Sequence, residues 1–187
     1  MNEKNENQNN STFTTQNLVM MALFAAVLCV SAYISIPLPN GSHITFLNFI
    51  ITLIALLFPL SQSVMIIVVW LLLGIVGVPV FIAGNAGLGY LIGPLGGYSI
   101  AFLIVGILIP LFRGKKYNRI RYTIVSVISV ILVDLIGMVW LKTLNGMTWK
   151  AAWIAGFFSF ILLDIVKAVV AAQVVPAFQR IVKNRNI

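Results

Sequence analysis

Residues 93–112 read Gly-Pro-Leu-Gly-Gly-Tyr-Ser-Ile-Ala-Phe-Leu-Ile-Val-Gly-Ile-Leu-Ile-Pro-Leu-Phe, and this uncharged stretch decides the fold class. Its length matches the roughly 20 apolar residues that a helix needs to cross a bilayer. A second apolar stretch follows at about 120–141. The loop between the two is strongly basic and contains Arg113, Lys115, Lys116, Arg119 and Arg121. Two apolar helices joined by a basic loop are typical of a polytopic membrane protein.

The composition of the whole chain agrees with this interpretation. Of its 187 residues, 60% are hydrophobic and 9% are charged, with a mean hydropathy of +1.05. Soluble domains carry about 25% charged residues, so this chain lacks the polar surface that water requires. We therefore predict an all-α integral membrane domain over residues 17–187. The polar residues 1–16, rich in Asn, Gln, Ser and Thr, are predicted to form a disordered cytoplasmic tail.

Apolar runs predict six membrane-spanning helices, at about 17–36, 44–59, 62–78, 93–112, 120–141 and 150–181. With this topology nine Lys and Arg residues lie on one side, and two, Lys142 and Lys150, lie on the other. The positive-inside rule then places both termini in the cytoplasm. The net charge of +8 does not indicate nucleic-acid binding, because the basic residues cluster at segment ends rather than along one soluble face.

The loop at residues 79–92 differs from an ordinary solvated connection because it is apolar and rich in glycine. Irregular backbone at membrane depth is tolerated where it is buried in protein or lines a cavity. We expect this loop to fold over the bundle and close a pocket, with Asn85 offering an amide to a ligand. The alternatives are a re-entrant loop that binds nothing, and an Asn that merely favours a turn.

Charged residues inside the apolar body are the strongest candidates for a site. Asp164 and Lys167 lie three residues apart, on one face of the last predicted helix. Intramembrane charges usually mark a substrate path, although this pair could also be a structural salt bridge. Asp134 could face the same cavity or accept a hydrogen bond from a neighbouring helix. Trp70 and Tyr98 could wall a ligand.

Several function classes are excluded by missing motifs. The chain has no Gly-x-x-x-x-Gly-Lys-Ser/Thr motif, so it cannot cradle ATP by a P-loop. His43 is the only histidine and has no metal-ligand companions, so we predict no metal site and no cofactor. Ala22 and Ala26 form a small-xxx-small pair, which permits close contact with another helix.

At this point the sequence resembles a known family. The run from Gly77 to Gly84, the block Gly93-Pro-Leu-Gly-Gly-Tyr98, and Gly137-x-x-Trp140-Leu resemble the BioY family. So does the block Phe160-x-x-x-Asp164-x-x-Lys167-Ala. These proteins are the biotin-binding S components of energy-coupling factor (ECF) transporters. The resemblance covers nearly the whole chain after the tail.

The resemblance implies six helices with biotin held near the outer face. It implies a multi-pass protein of a prokaryotic plasma membrane, with Ala22 and Ala26 facing a transmembrane coupling subunit and two separate ATPases supplying energy. Asp164 would accept the urea N–H groups, Asn85 would donate to the urea carbonyl, and Lys167 would pair with the tail carboxylate or with Asp164. The full set of expected ligand-binding residues is Trp70, Gly84, Asn85, Gly93, Gly97, Tyr98, Asp164 and Lys167.

The chain also departs from the family pattern. Leu95 stands where the family usually has threonine, and Thr45-Phe-Leu-Asn48 stands where it often has Thr-Leu-Gln. Two other functions therefore remain open. One is an S component for another small carboxylate such as lipoate. The other is an intramembrane enzyme that uses Asp134 and Asp164 as an acid–base pair.

Overall fold

The computed structural model describes residues 14–38 and 43–183, which form a bundle of apolar helices with one small hairpin. This architecture confirms the predicted all-α class. The helices are α1 (Thr15–Ser31), α2 (Leu47–Leu57), α3 (Leu60–Ile75), α4 (Leu88–Leu91), α5 (Gly96–Phe112), α6 (Arg119–Asn145), α7 (Trp149–Trp153) and α8 (Ile161–Lys183). The strands are β1 (Ser35–Pro37) and β2 (His43–Thr45).

Helix α1 begins two residues earlier than expected. The Thr14 side chain accepts a hydrogen bond from the Asn17 backbone N–H at 3.4 Å, which caps the first turn. Residues 15 and 16, predicted as the end of the polar tail, are therefore helical. The rest of that predicted tail, residues 1–13, lies outside the described residues.

The predicted first and second helices, 17–36 and 44–59, are both too long. Helix α1 ends at Ser31, and α2 begins only at Leu47. Between them β1 and β2 pair antiparallel, with Ile36 opposite Ile44. Pro37 favours extended backbone at the residue before it, which suits a strand better than a helix. At the other strand the Thr45 hydroxyl accepts from the Leu47 N–H at 3.2 Å and starts α2.

The remaining predictions differ from the structure mainly at helix ends. The segment predicted at 62–78 is α3, and the segment predicted at 93–112 is α5, which begins only at Gly96. The segment predicted at 120–141 is α6, which continues to Asn145. The segment predicted at 150–181 is interrupted, because a π-helical turn at Ile154–Phe158 separates α7 from α8.

The apolar helices differ in whether they are long enough to cross a bilayer. Two helical segments are long and apolar enough to cross a bilayer. One is α6, Arg119–Asn145, and the other, Trp149–Gln179, runs through α7, the π-helical turn and most of α8. The other apolar helices are shorter, and the 11 residues of α2 rise only about 16 Å. A bilayer core is about 30 Å thick. The number of spans and the cytoplasmic location of both termini therefore stay predictions.

Two glycines allow α5 and α6 to approach closely. A Cβ at Gly97 of α5 would overlap the Trp140 side chain, and a Cβ at Gly137 of α6 would overlap the Tyr98 ring. Each helix thus inserts an aromatic side chain against a glycine of the other. Helix α6 also packs on α8, and α2 packs on both α5 and α8.

Arg113 ties together one end of the bundle. Its guanidinium donates to the Phe58 carbonyl at 2.9 Å and to the Tyr122 hydroxyl at 2.8 Å. The end of α2, the end of α5 and the start of α6 therefore meet beside the basic loop. The hairpin, residues 79–92 and α7 lie towards the opposite end, which is where the candidate site is found.

Candidate functional site

A cavity lies between the hairpin, the turn at residues 82–84 and helices α2, α5, α6 and α8. It encloses about 430 Å³ of empty space, part of which is open to the outside. Its polar walls are His43, Thr45, Asn48, Tyr98, Asp134 and Asp164. Its apolar walls are Ile82, Leu95, Phe102, Val133 and Phe160.

Asp164 and Lys167 form an ion pair at the cavity wall. The Lys167 Nζ lies 2.8 Å from the Asp164 Oδ1, and the two side chains are 19% and 9% exposed. Both lie near the start of α8, where a spacing of three places them on one face. The two residues singled out from the sequence are therefore in direct contact.

Lys167 also joins α8 to the segment that begins α2. Its Nζ donates to the Thr45 carbonyl at 2.7 Å and lies 3.4 Å from the Asn48 Oδ1. An ammonium has three N–H donors, and the three acceptors around Lys167 use them all. The sequence analysis did not select Thr45 or Asn48. They had been noted only as a departure from the family pattern.

Tyr98 lines the cavity, as expected. Its hydroxyl donates to the Gly156 carbonyl at 2.7 Å, inside the π-helical turn. Its ring meets the Phe160 ring edge-on, with centroids 6.0 Å apart. Tyr98 therefore connects α5 to the irregular start of the last helical segment while one side of its ring faces the cavity.

The glycine-rich loop reaches the cavity through Ile82 rather than through Asn85. Asn85 is exposed, and its amide donates to the Ile82 carbonyl at 2.7 Å. The Ala83 N–H donates to the Ala32 carbonyl at 3.1 Å, which ties the loop to the end of α1. A Cβ built on Gly84 would lie 3.1 Å from the Tyr33 ring, and Gly84 is not part of the cavity lining. Asn85 thus braces the turn that presents Ile82.

Three other expected site residues lie outside the cavity lining. Trp70 is fully buried, and its indole donates to the Val80 carbonyl at 2.7 Å, so it anchors the start of the loop. The Gly93 carbonyl accepts from the Trp140 indole at 3.0 Å, and Gly97 packs on the same tryptophan. These residues therefore hold the loop and α5 in place without lining the cavity.

Ala22 and Ala26 are exposed on α1, as a contact surface requires. Ala26 borders an apolar groove that also includes Val27, Val30 and Ile50. The position is compatible with the expected helix partner, which remains a prediction.

Two cavity residues that the sequence analysis left undecided or set aside carry unpartnered atoms. The His43 Nδ1 and the Asp134 Oδ2 are buried and have no hydrogen-bond partner among the described residues. Within the same residues no group of three or more His, Cys, Asp or Glu side chains could hold a metal ion. The sequence analysis considered His43 only as a metal ligand and set it aside because it has no metal-ligand companions.

Comparisons with known proteins agree with the geometry. The BioY family model matches residues 3–184. The chain is similar to the biotin transporter BioY2 of Lactococcus lactis, with 32% identity over 91% of this chain and 93% of that protein. It is also similar to a probable biotin transporter BioY of Pyrococcus horikoshii, with 34% identity over 86% and 94%. A crystal structure of the S-component for biotin from an ECF-type ABC transporter superimposes with a TM-score of 0.79 and 25% identity, covering 96% of this chain and 94% of that one.

Proposed function

The chain belongs to the BioY family, and on that premise we propose that it binds biotin in the cavity as the S component of an ECF transporter. The observation that carries the proposal is the lining of the cavity, in which Asp164, paired with Lys167, lies among apolar side chains. Biotin matches such a chamber, because it combines a polar cyclic urea, an apolar thiophane ring and a carboxylate tail.

In this proposal Asp164 accepts a urea N–H while its Oδ1 stays on Lys167. A carboxylate has about four lone-pair sites, so it can serve both partners at once. Asn48, whose side chain faces the cavity, supplies the carboxamide that donates to the urea carbonyl. Lys167 balances the charge of the Asp164 carboxylate and holds it in place. Tyr98, Phe102 and Phe160 enclose the apolar ring system.

This assignment changes the role expected for Asn85. Because its amide is bonded to the Ile82 carbonyl, Asn85 acts as a positioning residue for the loop. The same holds for Trp70 and for Gly84, Gly93 and Gly97, which shape the walls without lining them.

Transport needs partners that this chain does not supply. The sequence contains no P-loop, so two separate ATPase subunits would provide the energy. Their action would reach this chain through a transmembrane coupling subunit that contacts Ala22 and Ala26. The assembly would lie in the plasma membrane of a prokaryote, with biotin entering from the side of the hairpin.

Calorimetric titration of biotin into detergent-purified protein tests the proposal. We expect one-to-one binding that Asp164→Asn weakens by at least about 10-fold, because a charge-assisted hydrogen bond contributes about 1.5–3 kcal/mol. A matched pair of variants tests the reassignment: Asn48→Ala should weaken binding more than Asn85→Ala. Well-folded protein that takes up no biotin would contradict the proposal.

Two other functions are tested with the same sample. Leu95 makes the cavity wall more apolar than a threonine would, so lipoate is the competitor to include. If lipoate but not biotin displaced a bound tracer, lipoate would take the place of biotin as the proposed ligand. Mass spectrometry of the recovered ligand addresses the intramembrane enzyme, since a transporter component returns biotin unchanged.

A further inference from the structure

Asp134 is a buried carboxyl that the proposed mechanism does not use. It lies in the middle of α6, is 2% exposed and lines the cavity. Its Oδ2 has no hydrogen-bond partner among the described residues. Other buried polar side chains of α6 differ, since the hydroxyls of Ser126 and Ser129 donate to helix carbonyls at 2.8 and 2.7 Å.

Two donor side chains of the site, Lys167 and Tyr98, have partners other than Asp134. Lys167 directs its three N–H groups to Asp164, Thr45 and Asn48. The single hydroxyl hydrogen of Tyr98 goes to the Gly156 carbonyl. A buried carboxyl oxygen without a donor is unfavourable, because it has lost its hydrogen bonds to water and gained none in the protein. The cavity therefore contains an acceptor that a ligand can satisfy.

The geometry of the two carboxyls matches one particular ligand group. Asp134 and Asp164 lie on neighbouring helices, α6 and α8, and line one cavity. A cyclic urea carries one N–H on each side of its carbonyl, and the two N–H bonds diverge. One carboxylate cannot meet both, whereas two acceptors on different walls can.

We propose that Asp134 is a specificity-determining residue that accepts one urea N–H of biotin while Asp164 accepts the other. This inference rests on the proposed function and adds to it a reason for selecting a cyclic urea. A ligand without N–H groups, such as lipoate, would leave the Asp134 carboxyl unsatisfied in the closed cavity. Asp134 thus favours biotin over apolar carboxylates of similar size.

The test uses Asp134→Leu, because the leucine methyl groups occupy nearly the positions of the two carboxyl oxygens without accepting a hydrogen bond. Asp134→Asn serves as a second variant that keeps one acceptor oxygen. Ser129→Ala is the matched control, since Ser129 is buried on the same helix but lies outside the cavity lining. We expect Asp134→Leu to weaken biotin binding by about 10- to 100-fold, Asp134→Asn to weaken it less, and Ser129→Ala to leave it unchanged.

A ligand series assigns the hydrogen bond to one nitrogen. The series has two biotin derivatives, each of which carries one methyl group on a different urea nitrogen. The isomer that lacks the N–H facing Asp134 should bind Asp134→Leu about as well as it binds the wild type. The other isomer should lose affinity on the same substitution, as biotin does, which is the coupling expected of two groups in contact.

The outcomes separate this inference from the function on which it rests. Absence of biotin binding by the wild-type protein would refute both. Wild-type binding together with an unaltered affinity of Asp134→Leu would refute only the role of Asp134. A purely structural role predicts that Asp134→Leu lowers the melting temperature of the ligand-free protein. The recognition role predicts an unchanged or higher one, because leucine removes a buried carboxyl without a partner.

Discussion

Among single residues, Lys167 connects the largest number of separate parts of the site. Its ammonium joins the first turns of α8 to β2 and to α2 through Asp164, Thr45 and Asn48. The same contacts that would present Asp164 to a ligand also hold the hairpin against the bundle. Stability and binding are therefore coupled at this residue, and a single substitution changes both.

A double substitution separates the two effects. Lys167→Met leaves the Asp164 carboxylate buried without its cation, so we expect the free energy of unfolding to fall by about 3–5 kcal/mol. Combining it with Asp164→Asn removes the unpaired charge and should recover most of that loss. Biotin binding should stay weak in the double variant, because the charged acceptor and the cation are both gone. Thermal unfolding in detergent and calorimetry on the three variants measure the two quantities.

A purely structural ion pair makes the opposite prediction for the double variant. Restored stability together with wild-type biotin affinity would mean that Asp164 and Lys167 hold the fold without contacting ligand. Gln173 offers a matched control on the same helix, because its amide bonds to the Thr123 hydroxyl at 2.9 Å, between α8 and α6. Gln173→Met should affect stability only slightly and leave binding unchanged.

Sequence reasoning at this scale succeeded where the contact is local. The Asp164–Lys167 pair follows from a spacing of three residues on a helix. The partners Thr45 and Asn48 are separated from Lys167 by 122 and 119 residues, so their contact depends on the packing of α2 against α8. Asn85 shows the converse case. Its amide was expected in the pocket, but one of its N–H groups donates to a carbonyl three residues away.

At the scale of elements, the interlock of α5 and α6 shapes one side of the cavity. Tyr98 of α5 fits against Gly137 of α6, and Trp140 of α6 fits against Gly97 of α5. Tyr98 is a wall of the cavity, so the distance between the two helices and the shape of the site are set by the same contact. Small residues generally allow membrane helices to approach each other closely.

Gly137→Ala tests whether the interlock shapes the site. The added methyl group would overlap the Tyr98 ring, which its hydroxyl bond to Gly156 prevents from moving freely. Overpacking of this kind costs about 1–3 kcal/mol, so we expect a lower melting temperature. Displacement of the ring into the cavity should also weaken biotin binding. Both are measured on the purified protein.

Gly89→Ala is the control for that substitution, because a Cβ at Gly89 would have no heavy atom within 4 Å. It should leave melting temperature and affinity unchanged. If Gly137→Ala behaved like this control, α5 and α6 would be able to separate without cost, and the interlock would not define the cavity.

Charge bounds two of the helices that sequence reasoning recovered. The basic residues from Arg113 to Arg121 separate α5 from α6, and both helices were predicted within a few residues of their ends. The hairpin was missed because its strands are only three residues long and adjoin apolar helices. With almost every neighbouring residue apolar, no periodic pattern distinguishes a short strand from the last turn of a helix.

At the scale of the whole molecule, the two ends of the bundle differ in charge and in structure. One end carries the basic loop and is closed by Arg113, which bonds to the Phe58 carbonyl and the Tyr122 hydroxyl. The other end carries the hairpin, the glycine-rich loop and the cavity. The positive-inside rule predicts that the basic end is cytoplasmic, so uptake would run from the proposed site towards the basic end.

Helix α6 allows that orientation to be measured. It is 27 residues long, about 40 Å, so its ends lie on opposite sides of any bilayer that it crosses. Cys29 is the only cysteine, and Cys29→Ala gives a background without thiols. Into it Lys116→Cys and Asn145→Cys are introduced separately, since both positions are exposed, one before α6 and one at its end. In intact cells a membrane-impermeant maleimide should label Asn145→Cys, and it should label Lys116→Cys only after permeabilisation. The reverse pattern would place the cavity on the cytoplasmic side, where an uptake component could not collect external biotin.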